Sequence, residues 1–403
     1  MFAWTDDQLA IRDAVRSFVD KEIRPHQDEL EHGDLPPYDL IRKFFSTFGL
    51  DAMAADSFDR SVDETSEKSA GEGVDPAFAV LPQIELVKVS MGIPAAIGVS
   101  IGLAAGTINA NGTVEQRKRW ARDLVTFEKV GAWAITEPDA GSDAFGGMRT
   151  TVRPDGDEFI LNGQKTFITN GPYADTLVVY AKLDDGSGVD RRDQPVLTFV
   201  LDSGMEGLEQ SKPLKKMGMN SSPTGQLFFD NVRLGRDRLL EGRPGSAGST
   251  GDGRESARSN FLVERIGIAT LSLGVIEECL RLCVDYAKER TLWGKPIGEL
   301  QLIQLKLAEM EVARMNVQNM VFKSIAARRG EVELDLAEAS AMKLYSSRAA
   351  TEVAMEAVQL FGGNGYMAEY RVEQLARDAK SLMIYAGSNE VQVTHVAKGL
   401  LRR

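Results

Sequence analysis

The chain is poor in the residues that build redox and metal centres. It has two cysteines and three histidines in 403 residues. Cys279 and Cys283 stand four apart in a strongly helical stretch, which puts them on one face. That spacing is neither a CxxC redox pair nor a zinc knuckle, and both read as buried apolar fillers. His26, His32 and His395 are far apart, so no metal site is expected. Basic charge is also short. Lys and Arg number 47 against 59 Asp and Glu, a net charge of −12, which argues against nucleic acid or an anionic membrane as the main partner. No apolar run approaches the roughly 18–20 residues that span a bilayer. The start, "MFAWTDDQLAIRDAV", lacks the charged and apolar regions of a signal peptide and is too acidic for a transit peptide. With so few cysteines, the expected setting is a reducing cytoplasm, without a membrane span.

What is present is ordinary for a globular protein: 43% hydrophobic and 26% charged residues, over a length that suits two or three domains. Residues 1–130 read mostly as helix. Thr5 is a candidate N-cap for "TDDQLAIRDAVRSFVDKEI", and Pro25 is expected either to stop that helix or to follow its end. "YDLIRKFFSTFGL" is a second amphipathic helix ending before Gly49. Residues 56–75 are polar and acidic and read as a surface loop. From Phe78 to Ile108 the chain is apolar and rich in small residues, as in closely packed buried helices.

The pattern changes near Val130 to alternation, β-branched residues and turn pairs. In "EFILNGQKTFIT", Asn162-Gly163 between apolar runs predicts a hairpin. "TLVVYAKL", "PVLTFVLD" and "GQLFFDNVRL" predict further strands. A Gly/Ser-rich stretch from residue 241 reads as a linker or loop through 259. Long helices then follow, closing at Gly330 and Gly362 and joined by short connections, which predicts an antiparallel bundle. The fold class is α+β: an N-terminal helical domain (1–130), a middle β-barrel or sandwich (131–243) and a C-terminal four-helix bundle (244–403).

Five short segments carry chemistry. In "AWAITEPDAGSDAFGGM", Ala140, Gly141 and Ser142 fit either a phosphate-binding turn or an ordinary loop. In "KTFITNG", Phe167 and Thr169 on one side of a strand suit a planar heterocycle, or a half-buried strand with Phe inward. In "ERTLWGKPIGELQ", Arg290 suits a phosphate or a helix C-terminus. "QLFGGNGY" is a helix cap or a close approach to a ligand, and it is not a dinucleotide-binding glycine motif. "VERIG" sets Glu264 and Arg265 in the first turn or two of a long helix, among apolar neighbours. There the acid is either favoured by the helix N-terminus or functional.

"TEPDAGSD", "LNGQKTFITNG", "LKKMGMNSSPTGQLFFDNVRL", "GKPIGELQ" and "QLFGGNGYMAEYRVEQLARDAK", in this order over nearly the whole chain, resemble the acyl-CoA dehydrogenase family. The resemblance implies FAD held between the β-domain and the bundle. Its implied contacts are Ile135, Thr136 on the flavin ring, Gly141, Ser142 on the pyrophosphate, and Phe167 and Thr169 beside the isoalloxazine. Arg290, Gln301, Gln359 and Gly363 are implied to reach the FAD of a neighbouring subunit, Trp293 and Gly362 to bind the cofactor, and Ser388 and Glu390 to stand beside it. The implied reaction is α,β-dehydrogenation of an acyl-CoA to a trans-2-enoyl-CoA, with flavin N5 accepting the β-hydride. Electron-transferring flavoprotein is the implied acceptor, and a dimer or tetramer the implied assembly. A carrier-protein-linked dehydrogenase, an oxidase or a monooxygenase on the same fold is the alternative. Many relatives carry the proton-abstracting glutamate at the second position of "YAGSNE", which here is Ala386. A smaller branch, including isovaleryl-CoA and long-chain acyl-CoA dehydrogenases, carries it on the first long helix of the bundle, before an arginine. The matching residue is Glu264, followed by Arg265, and the Ala386 backbone N–H is left to bond the thioester oxygen.

Overall fold

The computed structural model describes residues 3–33, 35–62, 75–242 and 252–402. Thr5 caps α1 (Asp6–Phe18) in a reciprocal capping box with Gln8. Pro25 follows the end of this winding, which runs on from α1 through Val19–Ile23, as one of the two expectations had it. It sits at the start of a tight 3-10 turn, Arg24–His26, where a missing N–H costs nothing, and α2 (Gln27–His32) follows directly. α3 (Tyr38–Thr47) stops before Gly49, whose φ is +63°. α4 (Leu50–Val62) corrects the loop expected at 56–75. Its last turns are helical and bury Phe58 and Val62 against the sheet side of the molecule, while 63–74 lie outside the described residues.

α5 (Ala77–Val87), α6 (Gly92–Asn111) and α7 (residues 114–125) complete the N-terminal part. α6 corrects a second expectation, for by length and composition it is apolar enough to cross a membrane. Half of it is buried, and its polar groups bond to the rest of the fold. The Ser100 hydroxyl accepts from the Gly131 N–H (2.8 Å), Asn111 donates to Ser256 (2.9 Å), and Thr107 accepts from Asn260 (2.7 Å). Those bonds make it a core helix wedged between the sheet and the bundle.

The middle part is one mixed seven-stranded sheet. Its strands are β1 (Gly131–Ala134), β2 (Thr151–Asp155), β3 (Glu158–Thr169), β4 (Thr176–Leu183), β5 (Val196–Asp202), β6 (Leu208–Gln210) and β7 (Thr224–Gly235). The sheet curls, bringing β1 back against β3. Both faces are covered, so "TLVVYA" is continuously apolar. Leu177, Val179 and Ala181 pack inside the curl, and Val178 and Tyr180 pack against the helices. The hairpin predicted at Asn162-Gly163 is absent. β3 runs straight through that pair, which forms a bulge in its pairing with β7. Gly163 has a φ of +140°, and a Cβ there would lie 2.7 Å from Thr150 Cα. The glycine serves a close backbone approach, and the true turn falls at Gly156.

Five helices form the C-terminal part: α8 (Gly253–Glu289), α9 (Gln301–Arg328), α10 (Leu336–Phe361), α11 (Arg371–Ser381) and α12 (Asn389–Arg402). α8 packs on α10, α9 and α5, and α10 packs on α11 and α12. α8 begins at Gly253, inside the stretch read as a loop through 259, while 243–251 lie outside the described residues. Cys279 and Cys283 are free and fully buried, and burial pushes both thiols up.

The three parts meet at Glu31, which is almost wholly buried. Its carboxylate accepts from Asn220 (3.2 Å), Gln374 (2.9 Å) and Arg377 (2.6 Å). α2, the β6–β7 loop and α11 thus share one acid.

Candidate active site

Glu264 sits in the fourth turn of α8, not the first or second as expected. The helix N-terminus therefore does not account for an acid there, because the dipole's influence fades within a turn. Part of the side chain stays open, but the surroundings are protein on most sides. Burial raises its pKa to about 7, against the opposing pull of the Arg265 and Lys343 charges. Arg265 is itself buried. Its Nη1 donates to Ser340 (3.3 Å), and its Nε has no partner among the described residues.

The turn between α11 and α12 lies against this helix. Ala386 has a φ of 59° and Gly387 one of 77°. A side chain in the left-handed region costs about 1–2 kcal/mol, so the turn must be held. Gln392 donates to the carbonyls of Ala386 (3.1 Å) and Gly387 (2.7 Å), and Lys343 donates to Gly387 (2.8 Å). Both carbonyls are thus engaged, while the Ala386 N–H has no partner among the described residues. A Cβ at Gly387 would stand 3.5 Å from Arg265 Nη2, so the turn and the Glu264 helix are in contact. Glu390 is exposed, and its own N–H, followed by the Ser388 hydroxyl, holds its carboxyl below the ordinary value.

A second group of expected residues lies on the sheet. Ile135 is buried, Thr136 half-buried, and Gly141 and Ser142 are exposed. The Thr136 carbonyl accepts from the Thr166 N–H (2.9 Å), which joins the "TEP" segment to β3. Phe167 is 68% exposed with a φ of 58°, so alternation breaks there and the aromatic ring faces outward. Thr169 is half-buried at the end of the same strand.

The third group stands at one end of the bundle. Arg290, Trp293, Gln301, Gln359, Gly362 and Gly363 are all exposed. Tyr286 stacks on Phe361 at 4.0 Å, and Asn364 donates to the Tyr286 hydroxyl (3.0 Å). These contacts bring the C-terminal ends of α8 and α10 together. Trp293 is 85% exposed and left-handed, an unusual combination for a tryptophan.

Three family descriptions match in series: "Acyl-CoA dehydrogenase, N-terminal domain" over residues 5–128, "middle domain" over 132–232 and "C-terminal domain" over 251–401. An acyl-CoA dehydrogenase of Bacillus subtilis is 34% identical over 98% of both chains. The mitochondrial isovaleryl-CoA dehydrogenase of Arabidopsis thaliana is 31% identical over 98% of this chain and 92% of its own. Among solved structures, butyryl-CoA dehydrogenase from Megasphaera elsdenii aligns over all of both chains, with a TM-score of 0.84 and 32% identity. A glutaryl-CoA dehydrogenase from Mycobacterium smegmatis in complex with FADH2 aligns over 99% of this chain and 96% of that one, with a TM-score of 0.83 and 27% identity.

The chain belongs to the acyl-CoA dehydrogenase family. It is an oxidoreductase, and the α+β fold expected from the sequence is the family's fold. Reading the sequence missed two buried lysines beside the acyl-CoA dehydrogenase motifs. Lys165 donates to Glu137 (2.8 Å) and to the Ile135 carbonyl (3.1 Å), behind the "TEPDAGSD" turn. Lys343 stands behind the 386–389 turn. The only sequence signal was a charge in an inward register: Lys165 within β3, and Lys343 in the apolar run "ASAMKLY".

Proposed function

We propose that this member of the family is an FAD-dependent dehydrogenase that converts an acyl-CoA thioester to its trans-2-enoyl form, with Glu264 as the base. The observation that carries this reading is the pairing of a carboxyl near pKa 7 with an unused N–H, at Ala386, in the adjoining turn. The α-proton of a thioester is a weak acid. A hydrogen bond from Ala386 to the thioester oxygen stabilises the enolate as it develops. Glu264 accepts the proton at its carboxylate; burial raises its pKa to about 7, which matches a base to working near neutral pH. Arg265 stays charged beside it and favours the ionised form.

The residues on the sheet fit a flavin. Phe167 offers an exposed ring on a backbone that a bulky residue avoids, and Gly141 and Ser142 lie exposed in the turn after Glu137, which Lys165 ties to β3. Thr136 and Thr169 supply polar groups for the ring edge, and Ile135 an apolar support. When bound, FAD supplies the acceptor for the hydrogen and electron pair leaving the β-carbon.

The bundle-end group, from Arg290 to Gly363, serves a neighbouring subunit's cofactor, and the assembly is a dimer or tetramer. Leu302, Leu305, Val312 and Met315 support this, for they form an exposed apolar face on α9, beginning one residue after Gln301. Electron-transferring flavoprotein is the acceptor of the electrons. Glu264→Gln should keep the flavin absorbance but slow anaerobic flavin bleaching by about a thousandfold across butyryl-, isovaleryl- and palmitoyl-CoA. Full bleaching at the normal rate in that variant would overturn the assignment.

A further inference from the structure

Lys343 lies on α10, with no surface exposed, between the Glu264 helix and the 386–389 turn. Its ammonium donates to the Gly387 carbonyl (2.8 Å) and to Asn389 Oδ1 (2.9 Å), which also accepts from Ser347 (3.1 Å). The charge faces Glu264 and Arg265 on α8 and Glu390 on α12. The Glu264 carboxylate in turn faces Arg265, Lys343 and the Tyr385 ring, whose buried hydroxyl has no partner among the described residues. His395, on α12, faces Arg265 and Lys398. A fully buried ammonium is costly unless it is paired, and among the described residues no carboxylate bonds it directly. Its partners are a carbonyl and an amide oxygen, and both belong to the turn.

We propose that Lys343 is a positioning residue for proton abstraction, one ammonium that both pins the turn presenting the Ala386 N–H and favours the ionised form of Glu264. The proposal rests on Glu264 being the base. Its two halves separate physically. Pinning requires only donors that reach Gly387 and Asn389. Favouring the carboxylate requires positive charge, because an opposite charge within about 4–6 Å lowers a carboxyl's pKa. Burial brings the Lys343 pKa down to about 8, so the charge is present over the range in which Glu264 titrates.

The direct test is the Glu264 titration, read by carbon NMR on protein labelled at the glutamate carboxyl, with Glu264→Gln identifying the resonance. Lys343→Met should move the midpoint up by about one pH unit, and Lys343→Arg should leave it in place. The holoenzyme gives the kinetic counterpart. In Lys343→Met the rate of anaerobic flavin reduction should fall about tenfold at pH 6.5 beyond any loss seen at pH 9. Asn389→Ala, which removes one anchor but keeps the charge, should lower the rate at every pH without moving the midpoint. If Lys343→Met does not fold, Lys343→Gln carries the same expectation. An unchanged midpoint in the neutral variant overturns the proposal, as does a uniform loss of rate over the whole pH range. Unimpaired reduction in Glu264→Gln would instead overturn the base assignment, while the NMR midpoint still reports whether Lys343 acts on Glu264.

Discussion

Lys165 and Glu137 form an ion pair of 2.8 Å with almost no surface exposed on either side chain. The same carboxylate also accepts the N–H groups of Arg149 and Thr150. Burial pulls the Lys165 pKa down to about 8, against the Glu137 charge. Glu137 ends below its ordinary value because its lysine and N–H partners outweigh burial. The pair fastens the "TEPDAGSD" turn to β3, between Thr136 and Phe167.

Lys165→Met leaves a buried carboxylate with two N–H donors and no counter-charge. Breaking a buried pair in this way costs about 3–5 kcal/mol. The variant is expected to melt well below the wild type and to lose flavin on gel filtration. Equal melting temperatures and full flavin retention would show that the pair holds nothing in place.

Glu264 carries a stability cost that depends on pH. Its folded pKa, about 7, is above the ordinary 4.5, so its contribution is fully present below pH 4.5 and is lost as pH rises through 7. Glu264→Gln removes that loss. At pH 8.5 the variant should be more stable than the wild type by about 2 kcal/mol, allowing for the open side of the group, and at pH 5 nearly equal to it. Denaturant midpoints at the two pH values check this, and a difference of the same size at both would contradict the raised pKa.

Leu305 lies in the middle of the exposed α9 face. Leu305→Glu puts a charge where an apolar contact between subunits is proposed. Sedimentation should show a smaller species, and flavin should be lost with it if the bundle end completes a neighbour's cofactor site. An unchanged sedimentation coefficient would remove α9 from the interface.

Much of the fold was legible from short-range signals. Thr5 and Gly49 marked a helix start and end, and the switch from helical to alternating pattern near Val130 marked the sheet. The errors came where a local signal answered to a distant contact. Asn162-Gly163 has hairpin chemistry, but its glycine admits Thr150, the residue just before the neighbouring strand β2. Residues 56–62 look like a polar loop because only Phe58 and Val62 of that segment are buried. α6 was not recognised as long enough to span a membrane because its small and polar residues interrupt the apolar run, and those residues are what fasten it inside the fold. In the candidate site, the motifs carry the residue types in order, and alanine at 386 together with the Glu264-Arg265 pair marks the position of the expected base. Lys165 and Lys343 were invisible for a physical reason. A lysine is ordinarily a surface residue, and only the packing around it reveals that it is enclosed.

Glu31 binds Asn220, Gln374 and Arg377 at once, and this has a consequence for how the molecule comes apart. If the β6–β7 loop or α11 peels away, the acid on α2 loses donors while it stays partly enclosed; if α2 itself leaves, Asn220, Gln374 and Arg377 lose their shared acceptor, and enclosed polar groups short of partners are expensive. Opening one part therefore makes it easier for the other two to open. The chain should melt in a single concerted transition, and amides in α2 and α11 should exchange with solvent hydrogen at matching rates.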